Sequence, residues 1–422
     1  MKNADNIIRV GGVGTGRIFQ FAHTRTYPQF IEKAWLTGFY DLSQERAQAA
    51  LNQYVGLLEA HAAAHPQHAE RVAANLKELR VYPALDALLE QVDVADVATH
   101  ARGRMAVAIR ALEKGVHVMV EKPMARTWTE GDRAARANVA HPGTLFQLND
   151  DNIFDPKYHA YSDLIEQGRI GQVQHVSLIR GSRLDSTTVL KSQANALDNG
   201  GGCLMDYGSH GLAAIWSVLG TRYRPVRVEA ASLGVLYPHR VLEGDPFVME
   251  VDDNARIKVL FEDTQSGAWV TVFLEATWCG GHIGLEKEKS GGQGNGYVYF
   301  VGDKGAISSN SGTSITVRGY DGSEATLPTR EYPAESMSFN EQIGAFLDRV
   351  RSGDAPVYDA AYGAEVIAIC GAAYLSAMRG RAVALDEFKE FSREFVRQLG
   401  DNEQADDAIV LALTQQFKRK AP

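Results

Sequence analysis

Paired cysteines, a surplus of positive charge and any long apolar run are all missing from this 422-residue chain. Its three cysteines, Cys203, Cys279 and Cys370, are isolated and lack paired metal-ligand spacing. That favours a reducing compartment over a disulfide framework. Acidic residues outnumber basic ones by 52 to 43, a formal charge of -9, which gives no support for a general nucleic-acid surface. No uninterrupted apolar segment approaches membrane-spanning length, and no secretory n-region, apolar core or cleavage site precedes the first strand signal. There is no repeat and no coiled-coil register. The expectation is a cytoplasmic protein with neither a membrane nor a nucleic-acid partner.

What is present is an ordinary globular composition, 45% apolar and 23% charged, in a chain longer than one core usually supports. Strand patterns at Ile7–Val10, Ala34–Tyr40, Val94–Thr99 and Val116–Glu121 alternate with helical stretches. Such alternation predicts a parallel sheet covered by helices. After about Asp150 the order changes. Helices at Tyr158–Gln167 and Gly208–Leu219 accompany strands at Val173–Arg180, Arg227–Leu236, Asn254–Phe261, Ala268–Glu275 and Gly296–Val301, which predicts a mixed or antiparallel sheet. The reading is α/β: a dinucleotide-binding domain over 1–149, a substrate and oligomerisation domain over 150–385, and a helical C-terminal extension over 386–422.

The first strand runs into Gly12-Val13-Gly14-Thr15-Gly16-Arg17-Ile18-Phe19. A strand, a glycine turn and a helix start suit a dinucleotide: glycine lets backbone approach a pyrophosphate, and the helix start presents amides to it. Asp41, past the second strand, is placed to accept hydrogen bonds from an adenosine ribose. Its charge opposes a 2′-phosphate, so NAD is expected over NADP, although Arg46 lies close by. A plain glycine turn with a surface aspartate is the competing reading.

Two further segments carry chemistry. Glu121-Lys122-Pro123 closes an apolar strand and can send Lys122 from the carboxyl edge of the sheet towards a hydroxyl or carbonyl. In Gly200-Gly201-Gly202-Cys203-Leu204-Met205-Asp206-Tyr207-Gly208-Ser209-His210, a helix beginning by Asp206 puts Asp206 and His210 on one face. His210 can then exchange a proton near neutral pH. Taken singly, these segments read more readily as a strand-end turn, an N-capping aspartate and a hydrogen-bonded histidine.

The ordered set of Gly14, Gly16, Asp41, Glu121-Lys122-Pro123 and Gly200–His210 resembles the glucose–fructose oxidoreductase/inositol dehydrogenase/rhizopine catabolism oxidoreductase family. Leu164–Gly171 and Phe300–Gly305 add to the likeness, which reaches to about Arg379. The resemblance implies a Rossmann domain followed by an α/β domain with a large open sheet. It also implies NAD(P)-linked chemistry on sugars, cyclitols or related polyols, and a homodimer or homotetramer. It assigns Lys122, Asp206 and His210 to the catalytic group, with substrate between nicotinamide and the second domain.

Some positions depart from the family pattern. Phe19 stands at the small third fingerprint position, and Thr99-His100-Ala101-Arg102 replaces a threonine-proline-asparagine run. Asn149-Asp150-Asp151-Asn152 replaces a segment that often carries a basic residue, and Ala213 stands where an acidic or amide residue is frequent. Thr99, His100, Arg102 and Glu121 are retained as cofactor contacts, and Asn152 and His282 as substrate contacts. Cys279 and His282 alone do not make a zinc site, so no metal is expected. Trp278 reads either as a plane facing the sugar or as a sheet-core residue.

The reaction expected is hydride transfer between nicotinamide and a hydroxyl-bearing carbon of a sugar, glycoside or cyclitol. His210 takes the hydroxyl proton, Lys122 stabilises charge on oxygen and Asp206 orients the group. The rival readings are glycoside cleavage by transient oxidation and elimination on tightly held NAD, and a non-catalytic sugar- or nucleotide-binding regulator.

Overall fold

A computed structural model describes residues 6–181, 189–279, 297–309, 314–329 and 338–418. They form two compact units. The first holds residues up to Met124, Gly131–Asp151 and the described residues 338–363; the second holds Ala125–Glu130, the described residues from Asn152 to 329, and 364–418. The units thus differ from the sequence division at three places. Ala125–Glu130 join the second unit, residues 338–363 join the first, and the stretch after 385 is part of the second rather than an extension apart.

In the first unit six strands form one parallel sheet: β1 (Ile8–Val13), β2 (Ala34–Tyr40), β3 (Arg80–Val81), β4 (Val94–Val97), β5 (His117–Glu121) and β6 (Phe146–Asn149). Their order across the sheet is β3-β2-β1-β4-β5-β6. The chain therefore reverses direction between β1 and β4, the switch point at whose carboxyl edge open α/β sheets bind ligands. All four residues of β4 and of β6 are buried, as expected of strands covered on both faces. The core joins Val10, Leu36, Phe39 and Val94 to Ile343, Phe346 and Leu347 of the helix Phe339–Ser352. That helix belongs here because its apolar stripe completes this core.

The second unit adds β7 (Val173–Gly181), β8 (Tyr223–Gly234), β9 (His239–Leu242), β10 (Asp245–Val248), β11 (Asn254–Asp263), β12 (Trp269–Thr277), β13 (Val298–Gly302), β14 (Gly305–Ser309), β15 (Ser314–Gly319), β16 (Glu324–Pro328) and β17 (Val383–Ala384). Nine of them make one sheet in the order β16-β15-β14-β13-β7-β12-β11-β8-β17, while β9 and β10 pair separately. Every pairing in the large sheet is antiparallel except β7 with β12, so the sheet is mixed.

One helix, Ala360–Arg379, is long and apolar enough to cross a membrane by length and composition, which the sequence reading did not anticipate. Its apolar window is 78% buried, and Ile367, Ile369 and Leu375 are core residues. The apolar character is that of a packed helix. Beyond it, Leu385–Leu399 and Glu403–Lys418 form two further helices. The second is locked down by buried Asp406, which accepts hydrogen bonds from Thr127 at 2.9 Å and Thr129 at 2.6 Å.

Candidate active site

At the switch point Gly14 follows β1 with φ of +82°, and a Cβ there would lie 2.6 Å from the backbone nitrogen of Thr99. Both conformation and space demand glycine. Gly16 has open space where its Cβ would be, leaving the backbone free to be approached. Phe19 departs from the small-residue pattern because room for it is made elsewhere. A Cβ on Gly12 would fall 2.2 Å from the Phe19 ring, so the bare strand accepts the ring. Phe19 then packs edge-on to Phe39 at 6.3 Å.

Asp41 follows β2, as expected, but it is buried and already engaged. Its carboxylate accepts from the Thr15 N–H and the Ser43 N–H, each at 2.9 Å. The aspartate thus fixes the glycine turn, and a carboxylate with two oxygens retains capacity for further donors. Arg46 is half exposed and 3.9 Å from Asp41. Arg17 and His100 are exposed; Ile18, Thr99 and Arg102 are half-buried. The open backbone at Gly16, the turn at Gly14 and the carboxylate at Asp41 fit a dinucleotide. They would hold its pyrophosphate and adenosine ribose.

The end of β5 is built on contacts that the sequence reading missed. Glu121 is buried, and one carboxylate oxygen lies 3.1 Å from Nε2 of buried His23. The other His23 nitrogen is 2.9 Å from Asp96, which also accepts from the Tyr27 hydroxyl at 2.6 Å. Burial opposes charge on His23, but Asp96 and Glu121 outweigh it and raise the imidazolium pKa to about 10. Glu121 is therefore an anchor in this network. The Lys122 N–H donates to the Asn149 carbonyl at 3.1 Å and to the Glu121 carboxylate at 3.2 Å, and the Lys122–Pro123 peptide is cis. Buried Arg104 clasps the same turn, donating to the carbonyls of Glu121 at 2.7 Å, Pro123 and Thr99. A guanidinium aimed at three carbonyls ties the ends of β4 and β5 together and fixes the backbone from which Lys122 projects.

In the second unit the glycine segment leads into a widened turn, Leu204–Gly208, and then the helix Ser209–Leu219. The helix start is capped by Asp252, not by Asp206. The Asp252 carboxylate accepts from the N–H groups of Gly202 and Leu204, each at 2.9 Å, and from the Tyr374 hydroxyl at 2.6 Å. Burial pushes the Asp252 carboxyl pKa up, against the pull of these donors. Gly202 has no room for a side chain, because a Cβ would meet the Asp252 carbonyl oxygen at 1.8 Å. In this unit, then, the glycines serve close packing.

Asp206 makes a different contact. Its carboxylate accepts from Nε1 of Trp278 at 3.3 Å. Trp278 is wholly buried, so it holds the aspartate and is not a sugar-facing plane. One turn on, buried His210 has the Asn152 amide 2.7 Å from its ring nitrogens. An amide can accept from a ring N–H or donate to a ring lone pair, so Asn152 can follow the imidazole through a change of protonation state. The unit thus brings Asp206, His210, Asn152 and Trp278 into two linked pairs. His282 lies outside the described residues. Burial, reinforced by Asp253, pushes the Cys279 thiol up to about 12, and Arg240 donates to its sulfur at 3.2 Å. It is a protonated packing residue.

Known proteins place this architecture. A family profile described as an oxidoreductase family with an NAD-binding Rossmann fold matches residues 8–147, and its C-terminal alpha/beta domain matches residues 162–385. An inositol 2-dehydrogenase/D-chiro-inositol 3-dehydrogenase from Shouchella clausii is 26% identical over 243 residues, 58% of this chain and 60% of that protein. The chain therefore spans less than two thirds of that relative. An oxidoreductase domain protein from Kribbella flavida has the same fold, with a TM-score of 0.73 at 18% identity over 90% of this chain and 99% of its own. So does an aldose-aldose oxidoreductase from Caulobacter crescentus complexed with glycerol, with a TM-score of 0.67 at 21% identity over 90% and 99%. With both of its domains matched, the chain belongs to the glucose–fructose oxidoreductase/inositol dehydrogenase/rhizopine catabolism family of oxidoreductases, and its first domain is an NAD-binding Rossmann domain.

Proposed function

We propose that the protein is an NAD-dependent dehydrogenase acting on a hydroxyl-bearing carbon of a sugar, glycoside or cyclitol. The observation that carries this reading is the buried His210, paired with an amide at 2.7 Å and set one turn after an aspartate fixed by Trp278. That is the equipment of a group that takes and returns a proton. Bound NAD supplies the hydride-accepting ring. His210 removes the proton of the substrate hydroxyl, and Asn152 keeps the ring oriented as it becomes charged. Asp206 positions the polar group. Lys122, held by the Arg104 clasp, stabilises negative charge on the substrate oxygen. Asp41 favours NAD over NADP by opposing a 2′-phosphate. The substrate class is supported by the inositol dehydrogenase relative and by the glycerol-bound aldose-aldose oxidoreductase.

The test is NAD reduction across sugars, glycosides and cyclitols, with His210→Ala beside the wild type. Loss of the base lowers kcat by roughly 10²–10⁴-fold, while NAD affinity by fluorescence titration stays the same. Undiminished turnover in His210→Ala would reject the role of this residue. Glycoside cleavage with no net NAD reduction would redirect the reading to transient oxidation and elimination.

We also propose a homo-oligomer, dimer or tetramer, supported by exposed aromatic residues on the large sheet. A cytoplasmic location is supported by three buried cysteines that form no disulfide.

A further inference from the structure

Arg180, near the end of β7, is 3% exposed, and its Nε has no hydrogen-bond partner. Among the described residues it makes no ion pair. Two acidic residues of the same unit pair elsewhere: Glu275 with Arg256 at 2.8 Å and Asp253 with Arg240 at 2.8 Å. A guanidinium does not escape burial by losing its proton, as a lysine can. An uncompensated buried cation is strongly unfavourable, and protein interiors normally supply its partner.

Its position shows where a partner would belong. Arg180 lies opposite Ala276 of β12, a small neighbour that leaves room for the side chain. Its Cδ is 3.9 Å from where a Cβ on Gly211 would stand, and Gly211 directly follows His210. On the next turn back, a Cβ on Gly208 would stand 3.6 Å from the Ala276 methyl. Arg180 thus lies under the same helix that presents His210, within the same unit.

We infer that Arg180 binds an oxyanion of the substrate, so that the sugar or cyclitol oxidised here carries a carboxylate or a phosphate. The inference rests on the dehydrogenase reading for its site and adds the charge of the substrate to it. An oxyanion matches the planar donor fork of the guanidinium and supplies the missing negative charge.

The experiment compares wild type, Arg180→Gln, Arg180→Lys and a distant control, Arg224→Gln, which removes an exposed arginine paired with Glu262. D-Glucuronate and D-gluconate are the carboxylate probes, D-glucose 6-phosphate the phosphate probe, and D-glucose and myo-inositol the neutral ones. Each is assayed for NAD reduction and, with NAD present, for binding by calorimetry. Wild type and Arg224→Gln should favour one anionic probe over its neutral counterpart by about tenfold or more in kcat/KM, the scale of a charge-assisted pair. Arg180→Gln should lose that margin through KM, with kcat within a few-fold, and Arg180→Lys should recover part of it. Which anion is favoured separates carboxylate from phosphate. A preference for neutral probes, or an anionic preference that survives in Arg180→Gln, would overturn the proposal. If no probe reduces NAD, the dehydrogenase reading fails, and the proposal then stands or falls on whether anion binding by calorimetry depends on Arg180.

Discussion

At the scale of single residues, the chain invests buried charge in holding backbone still. His23 has a carboxylate on each side, Asp96 at 2.9 Å and Glu121 at 3.1 Å, and the latter sits one residue before Lys122. Its pKa is raised to about 10 from 6.5. A group bound more tightly to its proton in the folded state stabilises that state fully below its unfolded pKa. The contribution then declines as pH rises through the folded value. His23→Gln keeps hydrogen-bonding capacity but loses the charge. The melting temperature of the variant should therefore fall furthest below wild type near pH 6.5, with the gap closing towards pH 10. Thermal melts between pH 6 and 10 check this. A constant gap would mean that His23 is neutral in the fold and acts only by packing.

At the scale of elements, the second unit depends on contacts that tie sequence-distant segments to the glycine turn. Asp406, on the helix Glu403–Lys418, takes both threonine hydroxyls beside Arg126, whose guanidinium donates to the Leu197 carbonyl at 2.7 Å. Asp406→Ala leaves the buried Thr127 and Thr129 hydroxyls only each other to donate to, so one loses its acceptor, and should cost about 1–3 kcal/mol in urea unfolding. A loss below about 0.5 kcal/mol would show that the helix docks by apolar contact alone. Such contacts mark the limit of what the sequence revealed. β1, β2, β4 and β5 were legible because strands buried on both faces must be apolar runs. Phe146–Asn149 was not, since it has four residues and two of them are amides; nor were β14 to β16, rich in serine, threonine and glycine. Of the candidate residues, Lys122, Asp206 and His210 stood out by local spacing. His23, Arg104 and Asp252 did not, because their partners lie far along the chain: Asp96 is 73 residues from His23, and Asp252 is 50 from Gly202. A buried ionisable residue has no local signature, so only the fold discloses it.

At the scale of the whole molecule, the large sheet raises a problem of surface. Phe273 of β12 and Tyr299 of β13 are both paired with Ser177 of β7, and they are 46% and 40% exposed. The His175 ring stands edge-on to both, at 6.5 Å and 6.2 Å. Four residues before Phe273, on the same side of β12, Trp269 is 54% exposed. Aromatic residues gathered on one strand face are costly in water and typical of a protein–protein contact. Charge on the same face, Lys258 beside Phe273 and the Arg256–Glu275 pair at 2.8 Å, gives a self-complementary contact a means of fixing its register. A two-fold interface repeats one patch on both partners, which suits a face carrying both its apolar centre and its paired charges. Light scattering of the wild type should therefore give a multiple of the 46.1 kDa protomer mass. The double variant Phe273→Glu/Tyr299→Glu should shift towards the protomer while keeping its circular dichroism, since neither side chain lies in the core. A variant with unchanged mass would place the interface elsewhere, and a monomeric wild type would leave these aromatics without a partner of their own kind.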